Sequence, residues 1–588
     1  MEFEALHHDA TTRAGVLRLN ERSMHTPGIL WYASDRIDPP DDAVWLLSQN
    51  GDGSLSHAGS FFRPLPRQEP CIPPSFVYPD VLPGALHEQA AGWNSRQAGD
   101  IHVVSAKALD DVGNASMYVL ANARELFSNP RRFVEAIVAV REAIGSQAVL
   151  YTPGLGRPAD LAVLAYCTVD LADSVPLVES ARQDMFLSVD GANPAGAYEV
   201  PPCRCPGCID GEGFDGLLQH NYNAAMAEIR MIRHAIATGV FRSLVERRCQ
   251  VSPHHLSVLR LLDAEHGRFQ ETRFPVQAGS FAATPLSLSR PDVERFRRRV
   301  LSRYRKPPSA SMLLLLPCSM GKPYSRSRSH NRFHEAVGSC GNPYVVHRVV
   351  VTSPLGVVPI ELDAVYPAAH YDISVTGRWS HDEQAMLSGM LERYLEQNHY
   401  DLVVQHLPND IASFVDIDAV NTCRGHPTSG GSLDALTDML REETAPYDSV
   451  SWQTRKREWT GALLRYQFGS AGLLDGMTVR GRYPRFRVFD SDVQMGMFVP
   501  ERGLFSLTLD GACWLAGLDR YWVEIEDFVP LGSVFAVGVV DADPGIRCGD
   551  EVVVLHDGDI RGIGEASMNG AEMRESEKGE AVSVRHHV

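Results

Sequence analysis

The strongest constraint on the fold is an alternation between residues 100 and 190. Short apolar runs, IHVVSA, MYVLA and AVLYTPG, are separated by the stretches NPRRFVEAIVAVREAIG and RPADLAVLAYCTV, whose apolar spacing is helical. Strands alternating with helices require parallel pairing through crossover connections, commonly closed into a barrel, with functional loops after the strand C-termini. YTPGLGRP and DLADSV are expected to be two such loops. Upstream, residues 1–100 mix short strand-like runs with Pro and Gly turns, and 217–247 reads as one long helix. Residues 250–308 look like a helical connection ending at RKPPSAS, a second α/β unit follows, and the last seventy or so residues are strand-rich with regular Gly and Asp turns, as in a small β-barrel.

A chain of 588 residues is too long for one core. We expect an α/β multidomain protein: a barrel-like domain over 1–250, a connection over 251–308, a second α/β domain over 309–425, a small α+β domain over 426–515 and a β-barrel over 516–588. No apolar run approaches the ~20 residues of a membrane span. The acidic, polar start MEFEALHHDATTRAGVL is not a signal peptide, so a cytoplasmic protein is expected. Eleven cysteines, an odd and sparse number, argue against a disulfide framework and for metal or catalytic roles where they cluster. The net charge of −18 opposes nucleic-acid binding on average. Two basic stretches interleaved with aromatics, RFRRRVLSRYRK (295–306) and RGRYPRFR (480–487), run against that average.

CRCPGC places Cys203, Cys205 and Cys208 within six residues, and His220 and His234 follow downstream. Three thiols and an imidazole suit a closed tetrahedral zinc site, which would be structural. His220 opens the helical segment and can face back to the loop, whereas His234 falls farther along it.

The stretch PCSMGKPYSRSRSH follows directly on the apolar run Met312–Leu316. It sets Cys318, Lys322, Tyr324, His330 and four serines, Ser319 and Ser327 among them, at the exit of a buried strand. A lone cysteine there would be a small core hydrophobe. With this company it reads as a nucleophile.

CRCPGC together with QHNYNAAMAEIRMIRHAI resembles the zinc motif of tRNA-guanine transglycosylases, and the resemblance makes His220 the fourth ligand. LYTPGLGRPADLAVLAYCTVDLADSVPLVESAR resembles that family's late barrel strands, and RAGVLRL and HTPGIL its opening ones. The likeness implies a degenerate TIM-barrel-like domain and places Asp173 at the family's nucleophile position. The second catalytic aspartate and the Gly-rich base-recognition segment are not found, so Asp173 reads as a structural carboxylate.

PCSMGKPYSRSRSH, with VVVTSPLGVVPIELDAVYPAAHYDISVTGRW and YDLVVQHL, resembles the signature of the archaeosine synthases, archaeal paralogues of the transglycosylases. The tail from Gly538 to Val588 resembles a PUA RNA-binding domain. The resemblance implies a tRNA carrying 7-cyano-7-deazaguanine in its D-arm, whose nitrile becomes an amidine. A thiolate adds to a nitrile carbon, and an amine then displaces it from the thioimidate. Cys318 would be that nucleophile, its pKa lowered by Lys322 or His330. Tyr324, Ser319 or His330 would protonate the developing imide nitrogen. Ser327 belongs to the same constellation, and His370 and Asp372 are secondary candidates for orienting the amine.

The implied donor is lysine through its side-chain amine, with glutamine-dependent direct amidination or base exchange at Asp173 as alternatives. A catalytically silent tRNA-binding subunit is a further reading. The resemblance also implies a radical-SAM partner subunit, since no Cys-x3-Cys-x2-Cys cluster is present, and a homodimer. For RNA binding, Arg561, Gly562, Gly564, Ala566 and Arg585 are the candidates, the small residues because RNA backbone can approach them closely.

Overall fold

The computed structural model describes residues 1–588 apart from 20–21, 49–54, 58, 61–62, 65–70, 73–82, 84, 87–96, 111 and 375–376. Within the quoted signature, Val375 and Thr376 lie outside the described residues. The chain divides into two compact units. One comprises Met1–Pro275, Val534–Cys548 and Ser567–Ala581; the other comprises Val276–Ser533, Gly549–Ala566 and Val582–Val588.

The first unit opens with an antiparallel meander, β1 (Glu2–Asp9), β2 (Thr12–Leu19) and β3 (Arg22–Thr26). Eight parallel strands follow: β4 (Gly28–Ala33), β5 (Leu46–Ser48), β6 (Leu55–His57), β7 (Cys71–Ile72), β8 (Ile101–Val104), β9 (Met117–Leu120), β10 (Val149–Tyr151) and β11 (Leu171–Asp173). Their order in the sheet is β8-β9-β10-β11-β4-β5-β6-β7, so the last strand returns to the first, Leu171 pairing with Gly28. That is the cyclic order of an eight-stranded barrel, nearly closed, with its seam where β7 and β8 approach each other. Leu30, Leu47, Leu55, Ile101, Met117, Val149 and Leu171 share one core cluster with Phe3, Leu17 and Met24 of the meander, so the barrel is a packed core and not a pore.

Helix α1 (Pro130–Ile144) starts as its sequence demands. Pro130 sits at the first position, the Asn129 side chain accepts from the Arg132 amide at 3.2 Å, and Gly145 lies just past the end. Helices α2 (Pro158–Tyr166) and α3 (Val175–Arg182) follow β10 and β11. Two expectations shift. DLADSV is not all loop, because Leu171–Asp173 is the closing strand. The long helix over 217–247 is two, Gly213–Ala237 and Phe241–Cys249, parted where Gly239 takes a left-handed φ of 71°.

In the second unit the run Met312–Pro317 forms β12, fully buried, at the centre of a five-stranded sheet. Its neighbours are β13 (Val346–Thr352) and β16 (Leu402–Gln405), both parallel. The edges are β14 (Gly356–Pro359) and β17 (Val420–Asn421). A central parallel strand is covered on both faces, which is why MLLLL shows no alternation. One face packs on helices Arg328–Gly338 and Gly430–Thr444 through Leu314, Leu316, Phe333, Val337 and Leu436. The short β15 (Tyr371–Asp372) lies outside that sheet, paired with Phe281–Ala282. Farther along, helix Trp452–Phe468 precedes a four-stranded antiparallel sheet spanning 478–507, whose first hairpin is the basic stretch RGRYPRFR. No helix among the described residues is long and apolar enough to cross a membrane.

Candidate active site and metal centre

Cys318 emerges at the C-terminal end of β12, where loops after parallel strands converge on a common edge. Burial pushes its thiol up. The Lys322 ammonium is the strongest influence in the other direction, followed by the Thr352 hydroxyl, while Asp410 adds to the rise. Lys322 is itself pushed down by burial and pulled back by Cys318 and Asp372. Its Nζ is buried, makes no hydrogen bond, and stands 4.3 Å from the Tyr371 ring centre and 5.7 Å from that of Tyr324. The thiol thus stands above its ordinary value and not below it as anticipated from sequence, because burial outweighs the ammonium; Lys322 is the group that offsets the rise in favour of a thiolate.

A hydroxyl relay lies next to this pair. Tyr324 and Tyr371 share a 2.5 Å hydrogen bond, and Tyr371 bonds Thr352 at 2.7 Å. Tyr371 and Thr352 were missed from sequence. The signature segment AAHYDISVTG drew attention to His370 and Asp372, but β15 alternates, burying Tyr371 and exposing its neighbour. Asp372 bonds the Ile373 amide and supports Lys322 electrostatically. His370 is half-buried against Tyr366 with its Nδ1 unpartnered.

His330 is not the cation anticipated beside Cys318. Burial, Arg348 and Lys322 push its pKa down to about 3, opposed only by the bond to Pro317, so the ring is neutral. Its Nε2 bonds the Pro317 carbonyl at 3.0 Å, which pins the loop just before Cys318. Ser327 caps helix Arg328–Gly338 by accepting from the His330 amide at 3.2 Å. Ser319 donates to the Gly321 carbonyl at 3.1 Å and steadies the turn. The motif thus brings Cys318, Lys322 and Tyr324 together, while Ser319, Ser327 and His330 hold the loop that carries them.

Replacing Lys322 by methionine is therefore expected to move the rising limb of the rate–pH profile to higher pH. The reactive thiolate exists only above the thiol pKa, and loss of a neighbouring cation raises that pKa. At pH 7 the rate should fall ~10-fold or more, with partial recovery in alkali.

In the barrel unit, Cys203, Cys205, Cys208 and His220 place their ligand atoms within 4.8 Å of one another. Cys208 Sγ lies 3.3 Å and Cys205 Sγ 3.6 Å from His220 Nδ1. His220 Nε2 bonds the Leu187 carbonyl at 2.9 Å, and that bond leaves Nδ1 to face the sulfurs, as an outer partner of a metal-bound histidine does. The ring stacks on Phe186 at 3.7 Å. Gly207 has no room for a side chain, since a Cβ would stand 2.7 Å from the His220 amide. His234, about four turns farther along the same helix, is exposed. Three thiols and an imidazole with no open position fit a tetrahedral metal ion.

Asp173 ends β11 wholly buried. Its carboxylate accepts from the Tyr151 hydroxyl at 2.8 Å and from the Gly154 and Val175 amides at 2.6 and 2.9 Å. Burial nonetheless pushes it up to about 6. In the C-terminal barrel, Gly562 and Gly564 sit mid-strand in β18 (Asp559–Ala566) against the next strand. A Cβ on Gly564 would meet the Ser583 carbonyl at 2.2 Å, so close strand packing accounts for the glycines. Ala566 closes the same strand, buried. Arg585 pairs with the buried Glu551, and Arg561 with Asp527 at 3.0 Å.

The two sites sit on separate frames: a near-closed barrel with a Cys3His cluster, and an α/β sheet with a thiol at its edge. Comparison with known proteins finds relatives for the segments that carry both. Residues 100–254 match the family model "Queuine tRNA-ribosyltransferase", 524–588 the PUA domain, and 293–440, which contain Cys318, a domain of unknown function. An archaeosine synthase of Haloferax volcanii is 34% identical, covering 99% of each chain. An archaeosine synthase subunit alpha of Methanosarcina acetivorans is 37% identical over 82% of this chain and 81% of its own length. A tRNA-guanine(15) transglycosylase of Methanothermobacter thermautotrophicus is 26% identical over 77% of this chain and 68% of its own. The chain belongs to the archaeosine synthase family.

Proposed function

We propose that this protein converts the nitrile of 7-cyano-7-deazaguanine in tRNA to an amidine, with Cys318 as nucleophile and the side-chain amine of lysine as donor. The observation that carries the reading is the unpartnered Lys322 ammonium beside the Cys318 thiol, next to the Tyr324–Tyr371–Thr352 relay. The thiolate adds to the nitrile carbon, and the nitrile nitrogen takes a proton by way of that relay or from Lys322. The donor amine then attacks the thioimidate carbon. Its excess proton leaves with the thiolate, which regenerates the thiol and leaves a substituted amidine. Held donors at the developing nitrogen supply the electrostatic part of the stabilisation.

The Cys3His cluster holds zinc in a structural role. Asp173 serves the barrel: with three hydrogen bonds clasping the β10 loop and the start of α3, its oxygens are committed to the fold. The tRNA is held by the PUA domain and the basic hairpin Arg480–Arg487 through phosphates. In that hairpin Arg480, Arg482, Arg485 and Arg487 line an open groove with Arg326 of the Cys318 loop, and of these Arg480 and Arg485 have carboxylate partners. A separate subunit completes the product, and the chain works as a cytoplasmic homodimer.

The test incubates purified protein and nitrile-bearing tRNA separately with lysine and with glutamine, and weighs the nucleosides by mass spectrometry. A lysine adduct, retained in Asp173→Asn, is expected. Archaeosine from glutamine alone would replace lysine by direct amidination, and an unchanged base in both tubes would leave only tRNA binding.

A further inference from the structure

The sheet that presents Cys318 carries a second cavity, of about 360 Å³, which the reaction as described does not use. Its floor includes Arg348 on β13, and its walls come from His330 on helix Arg328–Gly338 and from Trp452, Arg455 and Trp459 on helix Trp452–Phe468. Tyr483 of the basic hairpin closes one side. The aromatic rings form a chain, Trp452 to Trp459 at 5.8 Å and Trp459 to Tyr483 at 5.2 Å. Among the described residues no carboxylate lines the cavity; Asp363 lies behind it, bonded by the Tyr483 hydroxyl and the Ser325 amide and acting on Arg348.

Three groups lining it have buried polar atoms without hydrogen-bond partners: Arg455 Nη1 and Nη2, Trp459 Nε1 and His330 Nδ1. Arg455 has a side chain only 2% exposed. The carboxylate beside it, Glu458, stands 3.6 Å away and is already occupied by the Ser309 amide and hydroxyl. A buried guanidinium with idle donors is costly unless an anion meets it, and its fork matches a carboxylate. At the other end the polarity reverses. Because His330 Nε2 donates to the Pro317 carbonyl, Nδ1 bears no hydrogen and is an acceptor.

A cationic fork at one end and a lone-pair acceptor at the other suit one kind of molecule. Leu314 pairs with Arg348 and Pro317 with Val351, so the guanidinium strand position lies three residues, or about 10 Å, below the edge that carries Cys318. We propose that the cavity seats the amine donor: an amino acid whose α-carboxylate lies on Arg455 and Arg348, and whose side-chain amine reaches His330 Nδ1. Its α-ammonium faces the aromatic walls, where a cation finds the ring faces. The pocket suits lysine better than glutamine, since lysine's longer stem spans more of that distance. This deepens the donor reading above and rests on it. The neutrality of His330, pushed down to about 3, keeps Nδ1 an acceptor throughout the working pH range.

The experiment titrates the full-length protein, without tRNA, with lysine, cadaverine, glutamine and guanosine monophosphate. Tryptophan fluorescence and calorimetry are read in parallel. Saturable binding of lysine is expected, weakened ~10-fold or more for cadaverine, which lacks the carboxylate, and for Arg455→Met. Should Arg455→Met fail to fold, Arg455→Lys keeps the charge, loses the fork, and is expected to show the same loss. Cadaverine binding as well as lysine would overturn the carboxylate anchor. Saturation by the nucleotide and not by lysine would overturn the proposal in favour of an RNA site. Lysine bound and lost on substitution, with no lysine adduct formed on nitrile tRNA, would leave an amino-acid site and overturn its role as donor seat.

Discussion

Cys318→Ala is expected to abolish nitrile conversion, by ~10⁴-fold or more in kcat, while tRNA affinity stays within about twofold. The magnitude follows from the division of labour. A nitrile carbon is a weak electrophile, and neither Lys322 nor the tyrosine relay adds to it; both act only on a thiolate already attacking. Without the sulfur, the surrounding groups stabilise a step that no longer occurs. The alanine fills less of the strand end, but Cys318 is only partly buried, so the cost in stability is small. Single-turnover mass spectrometry on nitrile-bearing tRNA is the measurement. Wild type quenched in acid should also carry the RNA base on Cys318 as a thioimidate, and Cys318→Ser should carry none. Full conversion by Cys318→Ala would exclude covalent catalysis here.

The second large effect concerns the metal centre. Stripping the metal with a chelator, or Cys205→Ala, is expected to lower the unfolding midpoint of the barrel unit. Structural zinc contributes ~10–16 kcal/mol to isolated fingers; even ~3 kcal/mol in a unit of this size would shift the midpoint by roughly 5 °C. The reason lies in how little else binds that corner. The loop that carries Cys203, Cys205 and Cys208 is partly exposed, and a helix of only four residues, Pro206–Ile209, rests on helix Gly213–Ala237 beside His220. Three thiols that close would repel one another as thiolates without a cation between them. Differential scanning calorimetry, with elemental analysis for zinc, checks both the loss and its recovery on adding zinc back. Conversion per folded molecule should be little changed, because the metal has no open position for substrate. An unchanged midpoint after complete metal removal would make the cluster dispensable.

Much of this protein was legible before any coordinates. The strand–helix alternation over 100–190 dictated parallel strands, because crossovers permit nothing else. The spacing of CRCPGC pointed to a cluster of metal-ligand type, since thiols that close in sequence need only a local turn to converge, and His220 joins them from within helix Gly213–Ala237. PCSMGKPYSRSRSH after a buried apolar run pointed to Cys318 at the exit of β12, where the structure has it. Residues distant in sequence were beyond such reading. Thr352 and Tyr371 reach Cys318 only because β13 lies beside β12 and because a two-residue strand folds back with Tyr371 turned inward. Burial decided the charges: His330, a natural cation by type, is neutral once desolvated, which leaves Lys322 as the group beside the thiol. Gly562 and Gly564 looked like places for RNA to approach, yet a neighbouring strand occupies that space. Periodicity and spacing encode what is local. Electrostatic environment and long-range contact depend on which surfaces the fold brings together and how much water it leaves between them, and those are properties of the tertiary structure alone.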